Sequence, residues 1–193
     1  MGDIIKPGLT LFVIALVAAA LLGFVNVVTA PAIAQNKIAA KQKAMAEVLP
    51  QTKDNSFSGN YILEPMPDTG VTGYNISLDG QDAVGFAITV REPAYSGVIE
   101  LLVGVDIEGI VTGVKLVEHN ETPGLGANAD KPAFRDQFIG KSGQLTVTKN
   151  GQAGQQEIDA VTSATITSKA VTKGVNDALA FYELYLLTGG GAR

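Results

Sequence analysis

The chain has 193 residues, of which 46% are hydrophobic and 22 are glycine, and its 19 acidic against 14 basic side chains leave a formal net charge of −5. That surplus of acid sets a nucleic-acid partner aside, and an apolar fraction this high excludes a disordered chain. With no cysteine and one histidine, His119, there is no disulfide, no thiolate-held iron–sulfur cluster and no self-contained histidine-rich metal or haem site; no metal site is expected.

Residues 1–8 read as a short amino-terminal flank. Leu9 to Ala30 (LTLFVIALVAAALLGFVNVVTA) contains no charge and only Thr10, Asn26 and Thr29 as polar interruptions. Its roughly 22 residues rise about 33 Å as a helix, enough for a hydrocarbon core of about 30 Å, and predict a transmembrane helix over 9–30. Ala32-Ile33-Ala34 has the small-residue pattern of a signal-peptide cleavage site, but the apolar run is longer than such peptides use, so the span is retained. Ala18, Ala19, Ala20 and Gly23 give it a small-residue surface for packing on other membrane helices. Lys6 precedes the span, whereas Lys37, Lys41 and Lys43 follow it. Taken alone, this bias places the following domain in the cytoplasm. The trailing lysines, however, sit in a stretch whose Ile38, Met45, Val48 and Leu49 form the apolar side of a membrane-proximal helix. That helix and the polar linker QTKDNSFSGN after Pro50 occupy residues 31–60.

The folded domain is expected over 61–188. Tyr74–Leu78, Ala83–Val90, Val98–Asp106 and Ile110–Glu118 are rich in β-branched and aromatic residues and predict strands. Asp and Gly in Leu78-Asp79-Gly80-Gln81 and Asp106-Ile107-Glu108-Gly109 predict reversals, hence an antiparallel meander. A short helix opened by Pro132 lies within Lys131–Ile139, and a further strand at Gln144–Thr148. Ala170, Val171, Gly174, Val175, Ala178, Leu179 and Tyr182 recur at three- and four-residue spacing and predict a last helix covering one sheet face. Gly189-Gly190-Gly191 ends it and leaves residues 189–193 as a tail. The fold class is α+β.

Before that last helix stands Asp159-Ala160-Val161-Thr162-Ser163-Ala164-Thr165-Ile166-Thr167-Ser168. Two readings of its hydroxyls are open. Thr162, Ser163, Thr165, Thr167 and Ser168 either cap the helix with side-chain oxygens, or flank first-turn amides that bind an anion such as a phosphate. A second run, His119-Asn120-Glu121-Thr122-Pro123-Gly124-Leu125-Gly126, follows a strand and reads by itself as a turn braced by His119.

The spelling of the first run, Asp159 followed by Thr162-Ser163-Ala164-Thr165, resembles the flavinylation motif of the FMN-binding domains in Rnf and Na⁺-translocating quinone reductase complexes. That motif runs Asp, two variable residues, Ser or Thr, usually Gly, then Ala-Thr. Ser163 is the departure, standing where Gly is commonest. The resemblance implies that Thr165 accepts FMN from FAD through a separate flavin transferase, as a phosphoester, with Thr162, Ser163, Ala164 and Thr167 around it. The run Glu121-Thr122-Pro123-Gly124-Leu125-Gly126 is similar to the loop that lies along the flavin in the same families, which implies cofactor contacts from Glu121, Thr122, Gly124, Leu125 and Gly126.

The resemblance covers nearly the whole chain and is nearer in length to the G-type component of Rnf than to the homologous C-type component of the quinone reductase. It implies an electron-relay subunit of a membrane complex that exchanges electrons between reduced ferredoxin and NAD⁺ and moves Na⁺ or H⁺. Its partners would be integral-membrane, iron–sulfur and flavin subunits, with the flavin domain on the outer face of the cytoplasmic membrane. Without a Gly-x-Gly-x-x-Gly run or cysteines, the chain is not a complete enzyme by itself. Rival readings are a membrane-anchored flavin reductase for an extracellular acceptor, a C-type component of a Na⁺-translocating quinone reductase, and a structural anchor without flavin.

Overall fold

The computed structural model describes residues 2–50, 57–63, 69–80 and 82–187. They fall into two compact units, Met1–Lys41 and Gln42–Arg193, each considered by itself.

In the first unit, helix α1 (Gly2–Val48) carries the apolar segment, with Pro7 and Pro31 inside it. Leu9, Phe12, Leu16, Leu21, Leu22, Phe24 and Val28 are all exposed. Over residues 9–30 the helix is apolar on every side and its side chains are exposed, an arrangement built for lipid, where intrahelical bonds satisfy the backbone. Among the described residues it is the one helix long and apolar enough to cross a membrane. Even the Thr29 hydroxyl donates inward, to the Val25 carbonyl at 2.9 Å. Ile38, expected on a buried side, is exposed instead.

The second unit is organised by a five-stranded sheet in the order β1-β2-β3-β4-β5, antiparallel throughout: β1 (Phe57–Ile62), β2 (Val71–Asp79), β3 (Asp82–Pro93), β4 (Val98–Asp106) and β5 (Val111–Glu118). The meander arises where the sequence predicts reversals. At the β4–β5 turn the Asp106 carboxylate accepts the amides of Glu108 at 3.0 Å and Ile110 at 2.8 Å, while Gly109 takes φ 80°. β1 corrects the expected linker: Phe57–Asn60 belong to a strand, held by the Asn75 amide donating to the Gly59 carbonyl and by Tyr61 stacked on Tyr74. The remainder of that linker, residues 51–56, together with Gln81 and the tail 189–193, lies outside the described residues.

Leu101, Leu102 and Val103 on β4 are all buried, so the strand is covered on both faces and reads as a continuous apolar run. On one face lies helix α3 (Thr165–Phe181), which buries Val171, Val175, Ala178 and Leu179 against Ile88, Val90 and Leu101. A π-helical turn, Tyr182–Leu186, continues it. On the other face Ala44, Met45, Val48 and Leu49 pack on Ala87 and Leu102. The backbone at Val48 rests on two glycines paired across β4 and β5, Gly104 and Gly113. A Cβ on Gly104 would strike the Val48 carbonyl, one on Gly113 would lie 2.8 Å from Val48 Cα, and Thr112 donates its hydroxyl to that carbonyl at 2.5 Å. Buried Arg135 donates to Glu47 at 2.9 Å and to the Val114 carbonyl at 2.8 Å, which adds a charge-assisted tie.

Beyond β5 the chain runs through a 3₁₀ turn (Gly126–Asp130), helix α2 (Pro132–Arg135) and a second 3₁₀ turn (Asp136–Phe138). The expected helix is thus broken in two. Strand β6 (Thr146–Thr148) pairs in parallel with β7 (Glu157–Asp159), a strand the sequence does not announce. The glycine floor generates a direct expectation. Gly104→Ala should lower unfolding free energy by about 1–3 kcal/mol, the usual cost of overpacking, measured by denaturant titration of the residue 42–193 region in the intact chain.

Candidate functional site

β7 delivers the hydroxyl-rich run to the start of α3. The Gln137 side chain stands in for a missing strand partner at its end, accepting the Asp159 amide at 2.8 Å and donating to the Asp159 carbonyl at 3.3 Å. The Asp159 carboxylate takes the Ala153 amide at 3.1 Å through Oδ2, and its Oδ1 is buried without a partner. The chain then turns tightly, with the Ala164 amide donating to the Val161 carbonyl at 3.0 Å. Ser163 enters the left-handed region at φ 62°, the one non-glycine residue with positive φ among those described. This explains why glycine suits the position: Ser there bears the Cβ strain that glycine lacks.

Thr165 opens α3, and the residue before it, Ala164, offers no side-chain cap. Of the two readings open for the hydroxyls of this run, capping is therefore the one without a hydrogen bond at the helix start. Two hydroxyls in the first turn of the helix have other business: Ser168 donates to the Ala164 carbonyl at 2.9 Å and accepts the Val161 amide at 3.0 Å, and Thr167 donates to Glu121 Oε2 at 2.6 Å. Thr162 and Ser163 are exposed, whereas Thr165 is half-buried, and its hydroxyl has no protein partner among the described residues.

Glu121 joins this turn to the second run. Its buried carboxylate accepts the Thr167 hydroxyl on one oxygen and the Ser96 amide, from the β3–β4 turn, on the other at 2.7 Å. Gly126 packs against that clamp, where a Cβ would collide with Glu121 Oε2 and approach Thr167 Oγ1 to 2.8 Å. Between them the loop folds on itself: the Thr122 carbonyl accepts the amides of Leu125 at 3.1 Å and Ala127 at 3.2 Å, Gly124 takes φ 80°, and Asn128 donates to the Gly124 carbonyl at 2.7 Å.

The two runs, separated in sequence, thereby share one cavity of about 340 Å³. Glu121, Thr122, Leu125 and Gly126 line it from the loop, and Ser163, Ala164, Thr165 and Thr167 from the helix start. Thr162 and Gly124 shape the backbone nearby without lining it. Two lining residues escape the sequence reading, Tyr95 and Ile166. The available signals were an aromatic at a glycine-containing hairpin tip, Tyr95-Ser96-Gly97, and an isoleucine out of phase with the apolar stripe of α3. His119 does not line the cavity; its Nδ1 is buried without a partner.

The volume falls in the range of small-molecule sites. Tyr95, Leu125 and Ile166, 70%, 44% and 56% exposed, form an apolar rim around a free hydroxyl at a helix amino-terminus. That combination suits a flat aromatic ring attached to an anion, since unpaired first-turn amides and the helix dipole favour negative charge. FMN fits it. On β3, facing Lys173 of α3, burial pushes the Glu92 carboxyl above the usual carboxylate range, against the hydrogen bond from Lys173. Burial alone would lower Lys173, but hydrogen bonds to Asp177 and Glu92 raise it above the usual lysine value. Among the described residues no group of histidine and carboxylate side chains is arranged to hold a metal.

Comparison with known proteins agrees with this geometry. Residues 94–180 match the FMN-binding domain and residues 2–48 the RnfG N-terminal region. The chain is 38% identical to the G component of the Na⁺-translocating ferredoxin:NAD⁺ oxidoreductase complex of Acetobacterium woodii, over 93% of this chain and 92% of that protein. It is 37% identical to the G component of the proton-translocating ferredoxin:NAD⁺ oxidoreductase complex of Clostridium ljungdahlii, over 94% and 90%. With the G component of the Escherichia coli ion-translocating oxidoreductase complex it shares 32% identity over 90% and 88%. Among solved structures, the C component of the Na⁺-translocating NADH-quinone reductase of Parabacteroides distasonis superposes with a TM-score of 0.51 at 27% identity, covering 60% of this chain and 63% of that one.

The strained turn makes a specific prediction. Ser163→Gly should stabilise the folded domain by about 1 kcal/mol, seen as a raised denaturation midpoint at unchanged denaturant slope.

Proposed function

Because the chain belongs to the RnfG family of the Rnf ion-translocating oxidoreductase complexes and carries an FMN-binding domain, we propose that it relays electrons within such a complex through an FMN esterified to Thr165. The observation that carries this reading is the free, half-buried Thr165 hydroxyl in a cavity built by both motif segments. Thr167 and Ser168 are committed to structure. Of the two cavity-lining hydroxyls without a partner among the described residues, Ser163 stands exposed in the turn, and Thr165 is the half-buried one that lies within α3.

Loading requires a flavin transferase and FAD. The Thr165 oxygen attacks the phosphorus on the FMN side of the diphosphate, the bridging P–O bond breaks, AMP departs, and the hydroxyl proton is lost to base. When bound, FMN supplies electron acceptance and donation between partner redox centres. The chain's own residues do the rest. Glu121 fixes the loop against the helix start through Ser96 and Thr167, Gly126 keeps that approach free of a Cβ, and the first-turn amides of α3 hold the phosphate charge. Tyr95, Leu125 and Ile166 give the ring an apolar surround that stays open to a partner.

Ferredoxin oxidation and NAD⁺ reduction, named for the relatives from Acetobacterium and Clostridium, then belong to other subunits. This chain has neither thiolates for clusters nor a nicotinamide fingerprint. The driven ion is Na⁺ or H⁺. We place the flavin domain on the extracytoplasmic side, where the family resemblance puts it, with α1 as the anchor.

Expression with a flavin transferase should add one FMN-sized mass to the denatured protein, mapping to Thr165 and absent from Thr165→Ala; an unmodified Thr165 beside an active transferase defeats the reading. Topology has its own check, because the chain lacks cysteine. A single Asn150→Cys on the exposed surface should react with membrane-impermeant maleimide in cells whose cytoplasmic membrane is intact, and labelling only after lysis reverses the orientation.

A further inference from the structure

Lys169 stands one helical turn beyond Thr165 on α3 and is exposed. Residues four apart share a helix face, Cα–Cβ bonds tilt toward the amino-terminus, and long side chains lie back over the preceding turn. From that position a lysine side chain has the length to bring its ammonium back to the turn that holds Thr165.

Its charge is uncommitted. Lys173, the next lysine on the same face, is 2.9 Å from Glu92 and 2.8 Å from Asp177. Lys169 has no ion-pair or hydrogen-bond partner among the described residues. The first turn of α3 contains no acidic residue. The carboxylate that does reach the helix start, Glu121, already accepts one hydrogen bond on each oxygen. A free lysine close to the positive end of a helix dipole is an unfavourable arrangement unless an anion joins it.

We propose that Lys169 is the counter-ion of the phosphate that links FMN to Thr165, a positioning residue that attracts the diphosphate of FAD during loading and afterwards holds the tether against α3. This rests on Thr165 being the acceptor. The phosphodiester formed there keeps one negative charge, and its lateral partner is Lys169 while the first-turn amides meet it along the helix axis.

The test uses the full chain loaded by a flavin transferase, as wild type, Lys169→Gln and Lys169→Arg, with intact-mass time courses and ³¹P NMR of the purified loaded proteins. Initial loading should slow about two- to fivefold in Lys169→Gln, the scale of an exposed charge pair, and recover in Lys169→Arg. The phosphodiester resonance of folded Lys169→Gln should move away from wild type. The difference should shrink in high salt and vanish in denaturant, as a screened through-space contact requires. Coincident folded resonances overturn the proposal, even if loading slows, because Lys169 would then act on the transferase alone. Wild-type protein with no FMN on Thr165 overturns the acceptor reading itself, whereas FMN on Thr165 with unshifted Lys169→Gln sinks only the counter-ion.

Discussion

The site depends on one buried carboxylate. Glu121 receives a backbone amide from the β3–β4 turn and a hydroxyl from the first turn of α3, so three segments distant in sequence meet at its two oxygens. Burying a carboxylate is costly, and hydrogen bonds to a charged acceptor, worth roughly 1.5–3 kcal/mol each, are what offset it. The geometry leaves little slack, since any side chain at Gly126 would occupy the space of Glu121 Oε2. Loss of Glu121 would leave the Ser96 amide and the Thr167 hydroxyl without their acceptor and free the loop from the helix start. The cavity is thus a consequence of the clamp, because its two walls are the two segments that Glu121 joins.

That clamp can act only because the sheet beneath it is fixed. α3 covers one face of the sheet through Val171, Val175, Ala178 and Leu179, which sets the height of Thr165 above β3 and β4. The opposite face is closed by the segment around Val48, which comes within backbone contact of Gly104 and Gly113. Apolar cover on both sides explains why β4 shows no alternation in sequence, and why its neighbours can carry the hairpin tip bearing Tyr95 and Ser96 without distortion. The Glu92–Lys173–Asp177 cluster adds a polar fastening between β3 and α3. The Asp177 carboxylate also accepts the Gly70 amide at 2.8 Å, tying in the start of β2.

Most of the fold was legible because its signals were local. β-branched runs separated by Asp-Gly turns gave the meander, and three- and four-residue spacing gave α3. β1 was missed because FSGNYI contains glycine and asparagine and looks like a linker; its pairing comes from the Asn75 side chain and Tyr74, both elsewhere in the chain. β7 was missed for a similar reason: three residues carry no period, and Gln137 supplies part of its partnership through a side chain. At the site the spelling of the two runs pointed to their meeting place, but the sequence left the hydroxyls between capping the helix and flanking an anion site. What decided their roles was tertiary: Thr167 turns to Glu121, and Ser168 turns back to Val161 and Ala164. Tyr95 and Ile166 gave only weak signals because an exposed apolar side chain has no pattern of its own.

An open cavity and a covalent cofactor belong together physically. A small molecule held by non-covalent contacts alone is ordinarily buried over some 70–90% of its surface. Here the rim residues Tyr95, Leu125 and Ile166 are themselves exposed, so the cavity gives far less enclosure than such binding needs. Tethering through Thr165, on the proposed reading, replaces the missing contact energy with a bond and leaves the ring edge free for partners. The same openness leaves the tether phosphate close to solvent, where the dipole of α3 is weakened by screening. On the same reading, the Lys169 cation one turn along the helix contributes what the dipole alone supplies poorly, a lateral restraint that keeps the ring facing one way. Orientation matters more to a relay than affinity, since a tethered carrier cannot dissociate but can still point away from its partner.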